Sequence, residues 1–327
     1  MKKLIILVIG IALVILEQRV GFSYFGPGVG ARALGMGGAF VSVAEGIDAC
    51  YWNPAGLGNM KESEVTIMRT MNNRDIMEYQ EWLAAGTKIG DSGGIGVNYV
   101  HFKNAFQWVE KKTDNFAPYA IDDEWVGLAM GGYGGGQFKN LALGVNLRNR
   151  SSSLLKGTET AFKWSECEST GYTANFIEYD VGILYHINNE VSLGLIIQNF
   201  NETVVKYGED SPICEFVWEK IITPGVAWRP DEKTIFAIEC YNYKLEDVYT
   251  TKIGKGQSKV KVGFERWCTD NMAVRAGLLS KDYHTIGFGI REVELKKLFP
   301  GVQYDIDYAL LDGSGVGTHF LSCTAKF

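Results

Sequence analysis

Alternation with a period of two is the feature that most limits what this chain can become. The stretch "NLALGVNLR" sets Leu141, Leu143, Val145 and Leu147 on one face, with Asn140, Ala142, Gly144, Asn146 and Arg148 on the other. "VSLGLIIQN" sends Val191, Leu193, Leu195 and Ile197 one way, and "VQYDIDYAL" does the same with Val302, Tyr304, Ile306, Tyr308 and Leu310. Successive side chains of a strand point to opposite faces, so these segments make sheet with one apolar and one wet side. Frequent glycine (39), 13% aromatics and only 7 prolines suit strands and tight turns better than a helical bundle.

Fourteen such strands are expected, near 63–71, 79–88, 94–102, 124–131, 140–148, 175–186, 191–200, 220–228, 234–243, 258–267, 272–280, 285–291, 302–311 and 317–327. Most have about the ~9–11 residues that a tilted strand needs to cross a bilayer, longer than the ~5–6 usual in soluble sheets. Short connections at 89–93, 132–139, 187–190, 229–233 and 268–271 are interleaved with long ones at 103–123, 149–174, 201–219 and 244–257. Outer-membrane barrels have short turns on one rim and long loops on the other. The alternation lapses at 281–284, short where a loop is due, and at 292–301, long where a turn is due. A sheet in hydrocarbon cannot leave edge N–H and C=O groups unpaired, so it has to close. The expected fold is all-β: a transmembrane antiparallel β-barrel of about fourteen strands, with Trp125, Trp228, Trp267 and Tyr241 as candidates for its interfacial aromatic girdles.

The two ends agree with that reading. Lys2 and Lys3 precede the unbroken apolar run "LIILVIGIALVIL", after which Glu17, Gln18 and Arg19 restore polarity. As a helix this run rises only about 20 Å against the ~30 Å hydrocarbon core, so residues 1–23 read as an export signal peptide rather than an anchor. The final strand, "GTHFLSCTAKF", is amphipathic and ends on Phe327. A terminal aromatic there resembles the signal by which barrel-insertion machinery recognises its clients. The expected location is the outer membrane of a Gram-negative-type bacterium, with lipid around the wall.

Other classes find little support. With 32 basic and 38 acidic residues the formal net charge is −6, which implies no nucleic-acid partner. The six cysteines (50, 167, 214, 240, 268, 323) and four histidines lack metal-ligand spacing, so no metal or cofactor is expected. Cys167 with Cys214 is the pair to check for a disulfide. H-E-x-x-H does not occur, and His101 and His319 fall on apolar, lipid-facing registers unsuited to a general base. The chain reads as a non-enzyme.

One segment breaks the alternation: "GARALGMGGAFVSVAEGIDACYWNPAGLG", residues 30–58. With Gly28 it spells G-x-G-x-x-A, but a dinucleotide loop needs a strand before it and a long helix after it, and neither is present. The segment instead resembles the N-terminal signature of the PorV/PorQ group of outer-membrane proteins, relatives of the FadL fatty-acid channels and of the UPF0164 barrels. The likeness is carried by Gly30, Ala31, Arg32, Gly35, Met36, Gly37, Ala39, Asp48, Trp52, Asn53, Pro54, Ala55 and Gly56. It implies that residues 24–60 form a plug inside a barrel of residues 61–327. Such a plug is physically sensible, because fourteen strands enclose a lumen too wide for their own side chains to fill. Arg32, Asp48 and Asn53 would then bind an inner wall where Lys259, Lys261, Glu265, Arg275, Asp305 and Asp307 face inward. Cys50 departs from the small residue usual in that group. Two functions follow from the resemblance: secretion or surface attachment through secretion-system partners, or, as the alternative, passage of hydrophobic ligands such as long-chain fatty acids. For the second, Phe106, Trp108, Phe116, Phe216 and Trp218 are candidate pocket residues.

Overall fold

The computed structural model describes residues 28–71, 79–109, 116–156, 168–207, 214–218, 220–241, 259–280, 283–294, 300–313 and 317–327. The expected signal peptide at 1–23, the start of the expected 24–60 plug, Cys167 and the expected loop at 244–257 lie outside the described residues. So do the side chains of Lys259, Phe106, Trp108, Phe116, Cys214, Phe216 and Trp218.

The strands are β1 (Glu64–Met71), β2 (Tyr79–Ile89), β3 (Gly93–Val109), β4 (Phe116–Tyr133), β5 (Leu141–Lys156), β6 (Glu168–His186), β7 (Val191–Gln198), β8 (Thr203–Tyr207), β9 (Cys214–Trp218), β10 (Ile221–Asp231), β11 (Thr234–Tyr241), β12 (Lys259–Trp267), β13 (Met272–Ser280), β14 (Tyr283–Glu294), β15 (Gln303–Gly313) and β16 (Thr318–Lys326). All except β8 and β9 close into one antiparallel fourteen-stranded barrel, and β8–β9 is a separate hairpin between β7 and β10. The seam is β1 against β16, with Thr66 beside Thr324 and Ile67 beside Cys323. Reciprocal backbone bonds of 3.1 Å join Ser63 to Phe327 at its end.

The apolar face points outward. Leu143, Val145 and Leu147 are 55%, 48% and 43% exposed, while Ala142, Asn146 and Arg148 on the alternate face are buried. Burial inside and grease outside is the inverse of a soluble sandwich, and it is the solution that a hydrocarbon solvent selects. Trp228, Phe236 and Phe264 lie side by side on β10, β11 and β12 and form a lipid-facing aromatic row, with ring centroids 5.6 Å and 5.1 Å apart. Trp125, Tyr241 and Trp267 do not belong to a girdle. They share the inward register of Asp123, Glu239 and Glu265, and their rings meet the lumen cations Arg150, Lys261 and Arg275.

Two expected loops are extensions of strands. Residues 103–109 and 116–123 continue the β3–β4 hairpin, and 149–156 and 168–174 continue β5–β6. Where the extensions begin, the outward positions are His101, Lys103, Asp122 and Glu124, joined as ion pairs or hydrogen bonds such as His101 Nε2 to Asp122 at 2.7 Å. Such a surface has left the lipid, so hydropathy alternation ends there although the ladder continues. The lapse at 281–284 is one of length only. The β13–β14 connection lies on the loop rim, and 295–302 joins β14 to β15 on the turn rim.

Candidate functional site

The segment 28–60 holds only short helical pieces: α1 (Ala31–Gly35), α2 (Ala49–Trp52) and two 3₁₀ turns at Gly46–Asp48 and Pro54–Asn59. Phe40, Met36, Ala49 and Leu57 are fully buried, and they pack in one cluster with inward residues of the wall. Trp52 Nε1 donates to Val29 O at 2.8 Å and ties the two halves of the segment together.

What lets this backbone lie so close to the wall is a row of inward glycines. Gly94, Gly131, Gly144 and Gly182 are register partners across β3, β4, β5 and β6. A Cβ on Gly131 or Gly144 would collide with Pro54 and Ala55, one on Gly182 with Asn53, and one on Gly94 with Leu57 O. On the other side of the barrel Gly263 and Gly277 form a second paired position, against Met36 and Gly37. Gly37 has φ +66 and sits where a Cβ would be 2.7 Å from Leu278 N, so both its conformation and its space require glycine. Side chains complete the docking. Asn53 Nδ2 donates to Val41 O at 2.9 Å and to Ile183 O of β6 at 3.0 Å, while its Oδ1 caps the following turn at Ala55 N. Pro54 starts that turn at the position where a missing N–H costs nothing. Thr285 donates to Gly35 O at 3.0 Å, Ser192 to Ser42 O at 2.8 Å, and Glu64 accepts from Ile47 N at 2.8 Å.

The charges meet unequally. Arg32 makes two bonds to Glu265, whose other neighbour is Arg275, and Arg275 extends the chain to Asp307 at 2.7 Å. Lys261 lies 5.2 Å from the Trp52 ring and 4.8 Å from the Tyr241 ring, a stacked cation beside Gly38 O. Asp305 is not brought to the segment: it pairs with Lys326 at 2.7 Å and accepts from Glu292 N. The Asp48 carboxyl lies over Gly30 of its own segment. Burial, reinforced by Asp307 and opposed by Arg32, pushes its carboxyl up to about 7. Cys50 is buried with its thiol pushed upward by desolvation, and its Sγ fills the space over Gly96. The Phe327 ring, on the outward face with Leu321, is 60% exposed.

Toward the loop rim the inward face is apolar and aromatic. Met68, Trp82, Val100 and Trp125 share one level across β1 to β4, with Phe102 above, and Leu311 and Phe320 approach from β15 and β16. Beside them a buried ion cluster stiffens β4–β6. Arg150 pairs with Asp123 at 2.6 Å and Glu178 at 3.2 Å, and Arg148 with Asp180 at 2.7 Å. Arg150 also lies over Trp125, 4.9 Å from the ring centroid.

Neither the glycine row nor this cluster was singled out by sequence reasoning. One signal was available: single glycines recur at inward positions of β3, β4, β5, β6, β7, β12, β13 and β14, at heights that match only once the register is known.

No family model matches the chain, and no curated protein matches it. Solved structures do. It is similar to the CymD monoaromatic hydrocarbon channel with TM-score 0.62 and 12% identity, over 92% of this chain and 98% of that one. A Pseudomonas aeruginosa FadL homologue aligns with TM-score 0.58 and 10% identity, over 94% and 99%. The Ralstonia pickettii toluene transporter TbuX aligns with TM-score 0.56 and 12% identity, over 91% and 97%. The fold is that of the FadL-like outer-membrane channels.

Proposed function

We propose that this chain is an outer-membrane channel for hydrophobic small molecules, with the segment up to residue 60 as its plug and residues 61–327 as its wall. The observation that carries the reading is the apolar, aromatic inward face at Met68, Trp82, Val100, Phe102, Leu311 and Phe320. A general porin keeps its lumen polar and wet. These side chains pack against the N-terminal segment, so an oily solute would meet this lining by displacing part of it. The likeness to solved hydrocarbon channels supports the same reading. The plug blocks water through its seat on the glycine row, and Arg32 on Glu265 is one of the bonds that hold it. Phe327 serves the insertion step.

Expression of the full chain in cells lacking such a channel tests this. Uptake of labelled toluene or a long-chain fatty acid above the empty-vector rate is the expected result, and uptake equal to the vector rejects it. A secretion or attachment role of PorV/PorQ type rests on the signature at residues 30–58 and on the chain length. Recovery of secreted or secretion-system proteins with the barrel from detergent extracts would favour it over the channel.

A further inference from the structure

The β8–β9 hairpin leaves the wall at a fixed root. The ladder pairs Val181 through His186 of β6 with β7, and above it the chain turns through Asn199 and Glu202, both left-handed with φ of 50° and 42°. This turn is fastened to the lipid-facing side of β6. Phe200 N donates to Tyr179 O at 2.7 Å, Tyr179 N donates to Asn201 Oδ1 at 3.2 Å, and Asn201 Nδ2 donates to Ile177 O at 2.7 Å. The Asn201 amide thus stands in for a strand. Tyr179, Ile177 and Phe200 are 47%, 48% and 53% exposed, and they continue the apolar exterior of the barrel up to the root.

Polarity at equal height separates the hairpin from its neighbours. Thr173 and Val204 lie the same 13 residues along the chain from the turn-rim residues His186 and Val191. Standing upright, strands of that length reach roughly 30 Å, above an apolar band about 25 Å tall. The upright strands are accordingly polar outside: Thr173 and Asn175 are exposed, and Ser153 Oγ meets Thr173 Oγ1 at 2.9 Å. Val204 is apolar and 49% exposed. The hairpin sequences, TVVKY and CEFVW, also lack the polar-out alternation of a sheet standing in water. A lone two-stranded hairpin is marginal in water, so an apolar one needs cover, and the apolar phase that its root already meets is lipid. Lys220 marks the boundary. Its Nζ lies 5.0 Å from the Phe200 ring centroid and 3.5 Å from Glu202, the arrangement of an ammonium kept at headgroup level above an apolar side chain.

We propose that β8–β9 lies down on the outer leaflet of the membrane as a surface flap, with Phe200 and Val204 against acyl chains and Lys220 and Glu202 among the headgroups. The two left-handed residues supply the bend that takes the hairpin out of the line of β7. Its partner is the lipid surface, bound by buried apolar area as an interfacial helix is. The inference rests on the barrel and its outer-membrane placement, not on what passes through the lumen.

The test is photo-crosslinking of the full chain in dilauroylphosphatidylcholine vesicles. Val204, the lipid-facing Val145 and the water-facing Thr173 are each replaced, one at a time, by p-benzoylphenylalanine, and the adducts formed on irradiation are weighed by mass spectrometry. The expected lipid yield at 204 is within about twofold of that at 145 and about tenfold above that at 173. A yield at 204 no higher than at 173 means that the hairpin stands in water, and adducts joining 204 to another part of the chain mean that protein covers it. Either result overturns the flap and leaves the channel reading untouched. Each variant is first checked for the heat-modifiable gel band of a closed barrel. If the Val204 variant lacks it, hydrogen exchange of the unmodified chain decides: amides 203–207 are expected to exchange about fivefold more slowly in the vesicles than in short-chain detergent, with those of 150–153 as the reference. Equal exchange in the two overturns the proposal.

Discussion

Arg32 of the N-terminal segment and Glu265 of β12 face each other in a two-point pair, Nε to Oε2 at 2.9 Å and Nη2 to Oε1 at 2.8 Å, with Arg275 Nε on the same carboxylate at 2.6 Å. The Glu265 side chain has no exposed surface. One buried carboxylate thus joins two guanidiniums, and its removal leaves Arg32 with Glu45 and Arg275 with Asp307 as their remaining carboxylate partners. Glu265→Gln is expected to cost about 3–5 kcal/mol, the range for breaking a buried pair from one side. Single-channel recordings in planar bilayers would show ion conductance absent from the parent, and the heat-modification midpoint would fall. A silent, equally stable variant would show that the pair does not hold the segment.

Gly144→Ala places a methyl group where Pro54 and Ala55 already lie. The backbone on both sides is fixed, so the variant is expected to loosen the segment, opening conductance and lowering the midpoint by several degrees. Gly135 has nothing within 4 Å of its would-be Cβ. Gly135→Ala is the matched control and should be indistinguishable from the parent in both measurements.

Asp48 makes stability depend on pH. Its carboxyl is raised from 3.8 to about 7 by burial and by Asp307. The folded chain therefore holds a proton that the unfolded chain releases near pH 4. Stability from this group is full below pH 4, falls as pH rises toward 7, and is level above it. Asp48→Asn should raise the unfolding midpoint at pH 8 by about 2–5 °C and leave it unchanged at pH 4. An equal shift at both pH values would show that the carboxyl is not protonated in the fold.

Val145 lies in the lipid-facing row between Leu143 and Leu147. Val145→Lys is expected to cost about 2–4 kcal/mol, the midplane penalty on a barrel exterior, while the same change at Phe138 in the β4–β5 turn costs about 0–1. Denaturant titration in lipid vesicles measures both. Similar costs would mean that the hydrocarbon belt does not lie at Val145.

The wall was legible because its solvent imposes a rule that each strand obeys alone: Leu141 to Leu147 show it without reference to any neighbour. The fourteen expected strands correspond one to one with the barrel strands. Trp125, Tyr241 and Trp267 were misread because an aromatic near a strand end satisfies the girdle pattern on either face, and only register tells which. The extensions at 103–109 and 116–123 were missed because the charged outward pair Lys103 and Asp122, following His101 and Glu124, gives no hydropathy contrast outside lipid. The inner charges on β12, β13 and β15 followed from parity, but their partners did not. Nothing local to Asp305 sends it to Lys326 while Asp307 goes to Arg275. The seat of the segment depended on glycines of several strands meeting at one height, information that exists only between strands.

The β3–β6 ladder runs through strands of 17, 18, 16 and 19 residues, whereas β11, β12 and β13 have 8, 9 and 9. At the rise and tilt of barrel strands the difference lifts one side of the cylinder roughly 20 Å beyond the other. Among the described strands the loop-side rim is thus uneven, and β3–β6 stand as a parapet with Asp122 and Lys103 on its outer flank. In the proposed outer-membrane orientation that flank is a surface an antibody, phage or neighbouring protein would meet.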